Sequence, residues 1–214
     1  MTLTVLLVGL LTASSPPAPS FAEAVQDAYS RQAADSLQTL LARADSQSDS
    51  LLVRYRLYPL TEDASLLQDL PRELDDGSAR DWALLSGLWS YRAGEASFLG
   101  AINRGRHSAD LLETAQSRDP DNPYVLLVGG QSLLFRPSIA GKDPEEAAER
   151  FRRLVRLAER GDTDGIPPME ARVWRWMALR ETDRTDRARR LRKQLLGCDP
   201  PPLYRQFLES PPDV

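Results

Sequence analysis

Apolar residues recur along this chain at intervals of three and four, the period of an α-helix that buries one face. Ala33, Leu37, Leu40, Leu41 and Ala44 set the pattern and predict a first helix from about Ala22 to Ala44. Leu51, Leu52, Tyr55 and Tyr58 predict a shorter helix that Pro59 ends, because proline removes a donor and clashes with the preceding turn. Thr61 is placed to cap a small helix whose Leu66, Leu67 and Leu70 face inward. Ser78, with Asp81 three positions on, forms a capping arrangement. The helix behind it carries Trp82, Leu85 and Trp89 on one side and Leu84, Leu88 and Tyr91 on another, so it is expected at the centre of the fold. Its partner is expected from about Ser108 to Ser117, with Leu111, Leu112 and Ala115 inward.

Two sharper starts follow. Asn122-Pro123 and Asp143-Pro144 each place a capping side chain before a proline at the first helical position. They predict helices over Tyr124 to Leu134 and Glu145 to Arg160, the second burying Ala147, Phe151, Leu154, Val155 and Ala158. Gly161 supplies a stop. Further helices are expected over Met169 to Glu181, Thr185 to Leu196 and Leu203 to Glu209. Leu51 to Tyr55 is the best strand candidate, but it stands alone and could not satisfy its own hydrogen bonds. The fold class is therefore all-α.

The first residues read as an address. Leu3 to Leu11 is an apolar run too short to cross a bilayer. A polar, proline-rich stretch follows, and Ser20-Phe21-Ala22 has small residues where a signal peptidase reads. Residues 1–22 are thus expected to be a signal peptide, although no Lys or Arg precedes the apolar run. Residues 23–210 form the helical domain. A periplasmic or secreted location follows, with no integral membrane span after cleavage.

Charge and composition remove several function classes. The net charge of -4 argues against a nucleic-acid binder, which needs a basic footprint. Cys198 is the only cysteine and His107 the only histidine, which excludes an internal disulfide, a cysteine zinc cluster and paired-histidine metal motifs. No metal, cofactor or catalytic residue is therefore assigned. Gly130-Gln131-Ser132 is half of a nucleophile elbow, but Leu134 stands where the second glycine belongs. Gly129 and Gly130 read instead as close-packing positions.

The paired helices resemble the tetratricopeptide-repeat family. In the segment from about 80 to 120 the resemblance rests on Trp82, Leu85, Ser86 and Trp89, then Ser108, Leu112, Ala115 and Pro120, with about ten extra residues between the helices. From 122 to 160, Leu126, Gly130 and Leu133 precede Ala147, Phe151 and Leu154. From 169 to 200, Trp174, Met177 and Ala178 precede Leu191, Leu195 and Pro200. Arg136 to Asp143 is similar to the inter-helix loop of exported bacterial repeat proteins, including the helical subunit of some tripartite periplasmic transporters.

The resemblance implies stacked antiparallel hairpins, a TPR-like α-α superhelix whose concave face binds a protein or peptide rather than catalysing a reaction. The alternative is a small anionic solute held between hairpins by Trp and Arg. Arg92, Arg104, Arg106 and Trp176 are the candidate binding residues. Arg104 to Ser108 is read as a basic loop before a helix start, and Trp176, facing away from Trp174, as open to a groove. A buried, unpaired Glu or Arg in a cleft would instead point to an enzyme of undescribed type.

Overall fold

The computed structural model describes residues 19–213, which form ten α-helices and two short 3₁₀ turns, with no strand among them. The helices are α1 (Phe21–Ser30), α2 (Ala34–Ala42), α3 (Gln47–Thr61), α4 (Ala79–Gly94), α5 (Phe98–Arg118), α6 (Pro123–Phe135), α7 (Pro144–Glu159), α8 (Pro168–Arg180), α9 (Thr185–Leu196) and α10 (Pro202–Glu209). Leu3 to Leu11 lies outside the described residues.

The capping signals at Ser78, Asn122 and Asp143 form as written, whereas Thr61 lies in the last turn of α3 and Asp63 caps the 3₁₀ turn of Ala64–Leu67 in its place, accepting from the Ser65 N–H at 2.9 Å. Ser78 Oγ accepts from the Asp81 N–H, and the Asp81 carboxylate accepts from the Ser78 N–H at 3.0 Å. Asn122 and Asp143 accept from Tyr124 N–H and Glu146 N–H, each at 3.0 Å. Gly161 is left-handed, with φ of 78°, so it ends α7 without the strain a Cβ would bring.

Three stretches depart from the sequence reading. The single helix expected from Ala22 to Ala44 is broken. Gln32 takes a left-handed φ of 59°, the Ala33 N–H reaches back to Ala28 C=O at 2.9 Å, and the chain turns into α2. This is a Schellman-type stop built on glutamine instead of the usual glycine. Pro59 does not end α3. It sits in the last turn, where only one intrahelical donor is lost, and the helix stops at left-handed Glu62. The partner of α4 begins at Phe98 rather than Ser108. The ten extra residues are therefore helix, and Arg104 to Ser108 lies inside it.

The helices pair as antiparallel hairpins. Ser86 on α4 and Ser108 on α5 each donate a hydroxyl to the other's carbonyl at 2.8 Å, fixing those helices at close range. A Cβ on Gly130 of α6 would stand 2.5 Å from the Phe151 ring of α7, so any larger residue there would push the ring or the backbone aside. α8 packs on α9 in the third hairpin. α3, α4, α6 and α8 run side by side in one direction. Ser48 meets Asp81 near the starts of α3 and α4, Tyr58 meets Glu95 near their ends, and Arg80 lies over Tyr124 near the starts of α4 and α6.

The core follows from this layering. Leu84, Leu85 and Leu88 of α4 and Val125, Leu126 and Leu127 of α6 are buried, as expected for helices covered on several sides. The amphipathic α7 buries Ala147, Phe151, Leu154 and Val155 and turns its arginines to water. α1 packs against α3 and α10, so the first and last described helices meet.

Candidate functional site

Two of the sequence candidates come together. Arg104 on α5 donates to the Arg92 carbonyl on α4 at 3.0 Å. The Arg92 guanidinium lies 4.8 Å from the Trp89 ring centre, a cation–π stack. Arg106 is exposed on α5. These arginines do not flank a helix start, because α5 begins at Phe98, so the expected anion cradle of N–H groups is not formed there. Trp176 is a correction: it is only 5% exposed. Residues 173, 174, 176 and 177 of α8 are all buried, since α8 is covered by α7, α9 and α10. Trp82, Trp89 and Trp174 are likewise in the core, so no tryptophan offers an open ligand surface. His107 packs edge-on against Trp89, with ring centres 4.5 Å apart.

The exposed apolar surface lies elsewhere. Phe98 is 79% exposed, Leu99 74% and Ile139 99%, with Ile102 and Phe135 partly open. Phe98, Leu99 and Ile102 occupy the first turns of α5, just beyond the end of α4. Phe135 closes α6, and Ile139 follows it in a 3₁₀ turn. Because α4 and α6 are parallel, all five lie at one end of the molecule. The Arg136 side chain donates to the carbonyls of Ser132 at 3.1 Å and Ala140 at 3.4 Å, bracing the turn that presents Ile139. Arg104 and Arg106 lie one to two turns further along α5. The sequence pattern does not single out Phe98, Leu99 and Ile102, because they fall among the extra residues between the two expected helices. Their signal was available: large apolar residues outside any inward stripe.

A third constellation is fully interior. Arg56 on α3 donates to Glu170 on α8 at 2.6 and 3.3 Å, and both side chains are buried. Gln26 on α1 donates to Tyr204 Oη at 2.6 Å, and Tyr204 donates to Glu170 at 3.2 Å. The guanidinium stands 4.7, 5.5 and 5.7 Å from the rings of Tyr29, Tyr55 and Tyr124. Tyr91 stacks on Tyr55 and Tyr58. All six tyrosines of the chain thus join one network. Burial pushes the Tyr29 hydroxyl up to about 12, although Arg56 acts against the rise. Burial alone would disfavour the Arg56 charge, but Glu170 and the tyrosines hold it well above its ordinary range. Arg56 and Glu170 are buried but are each other's partner inside the core, so neither is the unpaired group that would suggest catalysis. Their geometry ties α3 to α8 and, through Tyr204 and Gln26, α10 to α1.

Among the described residues no group of three or more His, Cys, Asp or Glu is placed to hold a metal ion. None of their helices is long and apolar enough to cross a membrane. No family model, curated protein or solved structure matches this chain.

Proposed function

We propose that this chain is an exported, non-catalytic binding protein built from tetratricopeptide-like hairpins, and that its partner is a protein with an apolar segment. The observation that carries the reading is the gathering of Phe98, Leu99, Ile102, Phe135 and Ile139 at one end of the molecule. Isolated exposed apolar residues are ordinary, but five large ones presented at the same end of a fold favour an interaction surface there. Arg104 and Arg106 on the same helix favour a segment flanked by acidic residues.

The hairpin pairing supports the family reading, and one feature strains it. α4, α6 and α8 begin at residues 79, 123 and 168, a longer step than the 34-residue tetratricopeptide unit. The long α5 accounts for part of the excess. The exposed apolar residues favour docking at that end over docking in a concave groove.

A photo-crosslinking amino acid at Phe98 or Ile139, in cells that make the protein natively, tests the proposal. The expected product is one crosslinked protein partner shared by both positions and lost when Leu99→Ser and Ile102→Ser are added. Crosslinks only between copies of this chain, or none at either position, would overturn it.

A further inference from the structure

The outer side of the last two hairpins carries a trough floored by α8. Its main part is an open cavity of about 470 Å³ lined by Arg175, Arg187, Arg190, Leu191 and Gln194. A smaller depression of about 100 Å³ shares Arg175 and Arg187 and reaches across to Glu149 and Arg152 on α7.

The charges in this trough do not balance. Glu145 is taken by Arg184 at 2.8 Å, and Glu149 is taken by Arg152. Asp186, the nearest acid on α9, pairs with Arg189 at 3.2 Å. Among the described residues, Arg175, Arg187 and Arg190 have no carboxylate within 4.0 Å. Many surface arginines stand alone in water without consequence. These three converge on one cavity, and Arg175 is half-buried at its floor. Burial, then Arg187 and Arg152, make the Arg175 charge less favourable than usual, against a smaller opposing pull from Glu149 and Glu159. An anion seated there offsets the mutual repulsion of the arginines and supplies the partner that a half-buried guanidinium lacks.

We propose that this trough binds a small organic oxyanion carrying two or more negative charges. Arg175 receives it from below, Arg187 and Arg190 close on it from α9, and Gln194 adds a neutral polar contact. Guanidinium groups suit the task because their planar forks grip phosphate or carboxylate oxygens in pairs. The cavity is of the size that holds metabolite-scale ligands. The chain as a whole is negative, at -4, so its overall field repels anions and saturable binding must arise locally. The site is distinct from the apolar end, and each stands without the other.

Titration calorimetry at low salt, with pyrophosphate in one arm and citrate in the other, tests this. The expected result is saturable binding near one ligand per chain, weakened roughly tenfold or more in both Arg175→Gln and Arg187→Gln. Arg43→Gln, the same charge removed from the end of α2, leaves the affinity unchanged. The stronger arm tells whether phosphoryl or carboxylate oxygens are preferred. Arg187 is exposed, so its variant keeps the fold and decides the matter even if Arg175→Gln does not. The proposal is overturned by absence of saturable heat in both arms, by full affinity in Arg187→Gln, or by equal weakening in Arg43→Gln.

Discussion

The guanidinium of Arg56 grips the carboxylate of Glu170 across 114 positions of chain, and neither side chain touches water. A buried pair of this kind is costly to assemble and more costly to break. Glu170→Ala leaves Arg56 charged in a dry site and takes the acceptor from Tyr204. Its unfolding free energy is expected to fall by about 3–5 kcal/mol. Arg56→Met with Glu170→Leu removes both charges while keeping the volume, and is expected to lose less than Glu170→Ala alone. Denaturant midpoints of the three proteins check this, and a double variant no better than the single would show that the pair is worth more than its desolvation.

The same network predicts an alkaline limit to stability. All six tyrosines are pushed up from their ordinary value, with burial as the largest cause. An unfolded tyrosine ionises near pH 10, whereas Tyr29 in the fold holds its proton to about 12. Above the first value the unfolded chain has lost protons that the folded chain keeps, so stability falls as pH rises. The contribution is intact below pH 10 and is lost through about 12. Tyrosinate absorbance should therefore stay low in the native protein at pH 10 and then rise together with loss of helical circular dichroism. Ionisation of most tyrosines at pH 10 with helicity retained would contradict this burial.

Much of the fold was legible because the signals were local. Asn122, Asp143 and Ser78 start helices through their own side chains and need no distant partner. The stripe of Ala147, Phe151 and Leu154 named its buried face directly. What escaped depended on tertiary context. Gln32 adopts a left-handed turn that favours glycine, and its side chain bonds Gln206 on α10, 174 positions away. Arg56 and Glu170 look like two more surface charges until the fold aims them at each other from α3 and α8. Trp176 was read as open because helical spacing gives the face opposite Trp174 but not the helices that cover it. The trough at Arg175 needs α7, α8 and α9 in place before its charges can be seen to converge.

Gly130 offers a test of hairpin closure. Its missing side chain admits the Phe151 ring, and a Cβ there would stand 2.5 Å from Phe151 Cζ. Gly130→Ala favours the helix intrinsically but forces the ring or the backbone to move, and overpacking of this sort costs about 1–3 kcal/mol. Phe151→Leu shortens the intruding group. Gly130→Ala is expected to lower the melting temperature in the wild-type background and to be much less harmful beside Phe151→Leu. A double-mutant cycle reads the coupling directly, and strict additivity would mean that the two residues do not set the spacing of α6 and α7.

The start of α1 bears on whether cleavage after Ala22 is compatible with the fold. Ser20 donates its backbone N–H to the Glu23 carboxylate at 2.7 Å and accepts the Glu23 N–H at its hydroxyl, a complete capping box. Phe21 and Ala22 pack against the core, and Gly165 is held against the Ala22 backbone, where a Cβ would come within 3.2 Å. Cleavage after Ala22, which the small residues of Ser20-Phe21-Ala22 predict, would discard the cap and both packed side chains. A chain beginning at Glu23 is therefore expected to melt lower than one beginning at Pro19, by at least about 2–4 °C. Thermal scans of the two purified proteins measure the difference, and N-terminal sequencing of the protein recovered from cells shows which form the cell makes. A chain beginning at Glu23 that melts no lower than the longer one would show that the cap and its two packed neighbours contribute nothing to the fold, and cleavage after Ala22 would then carry no structural penalty.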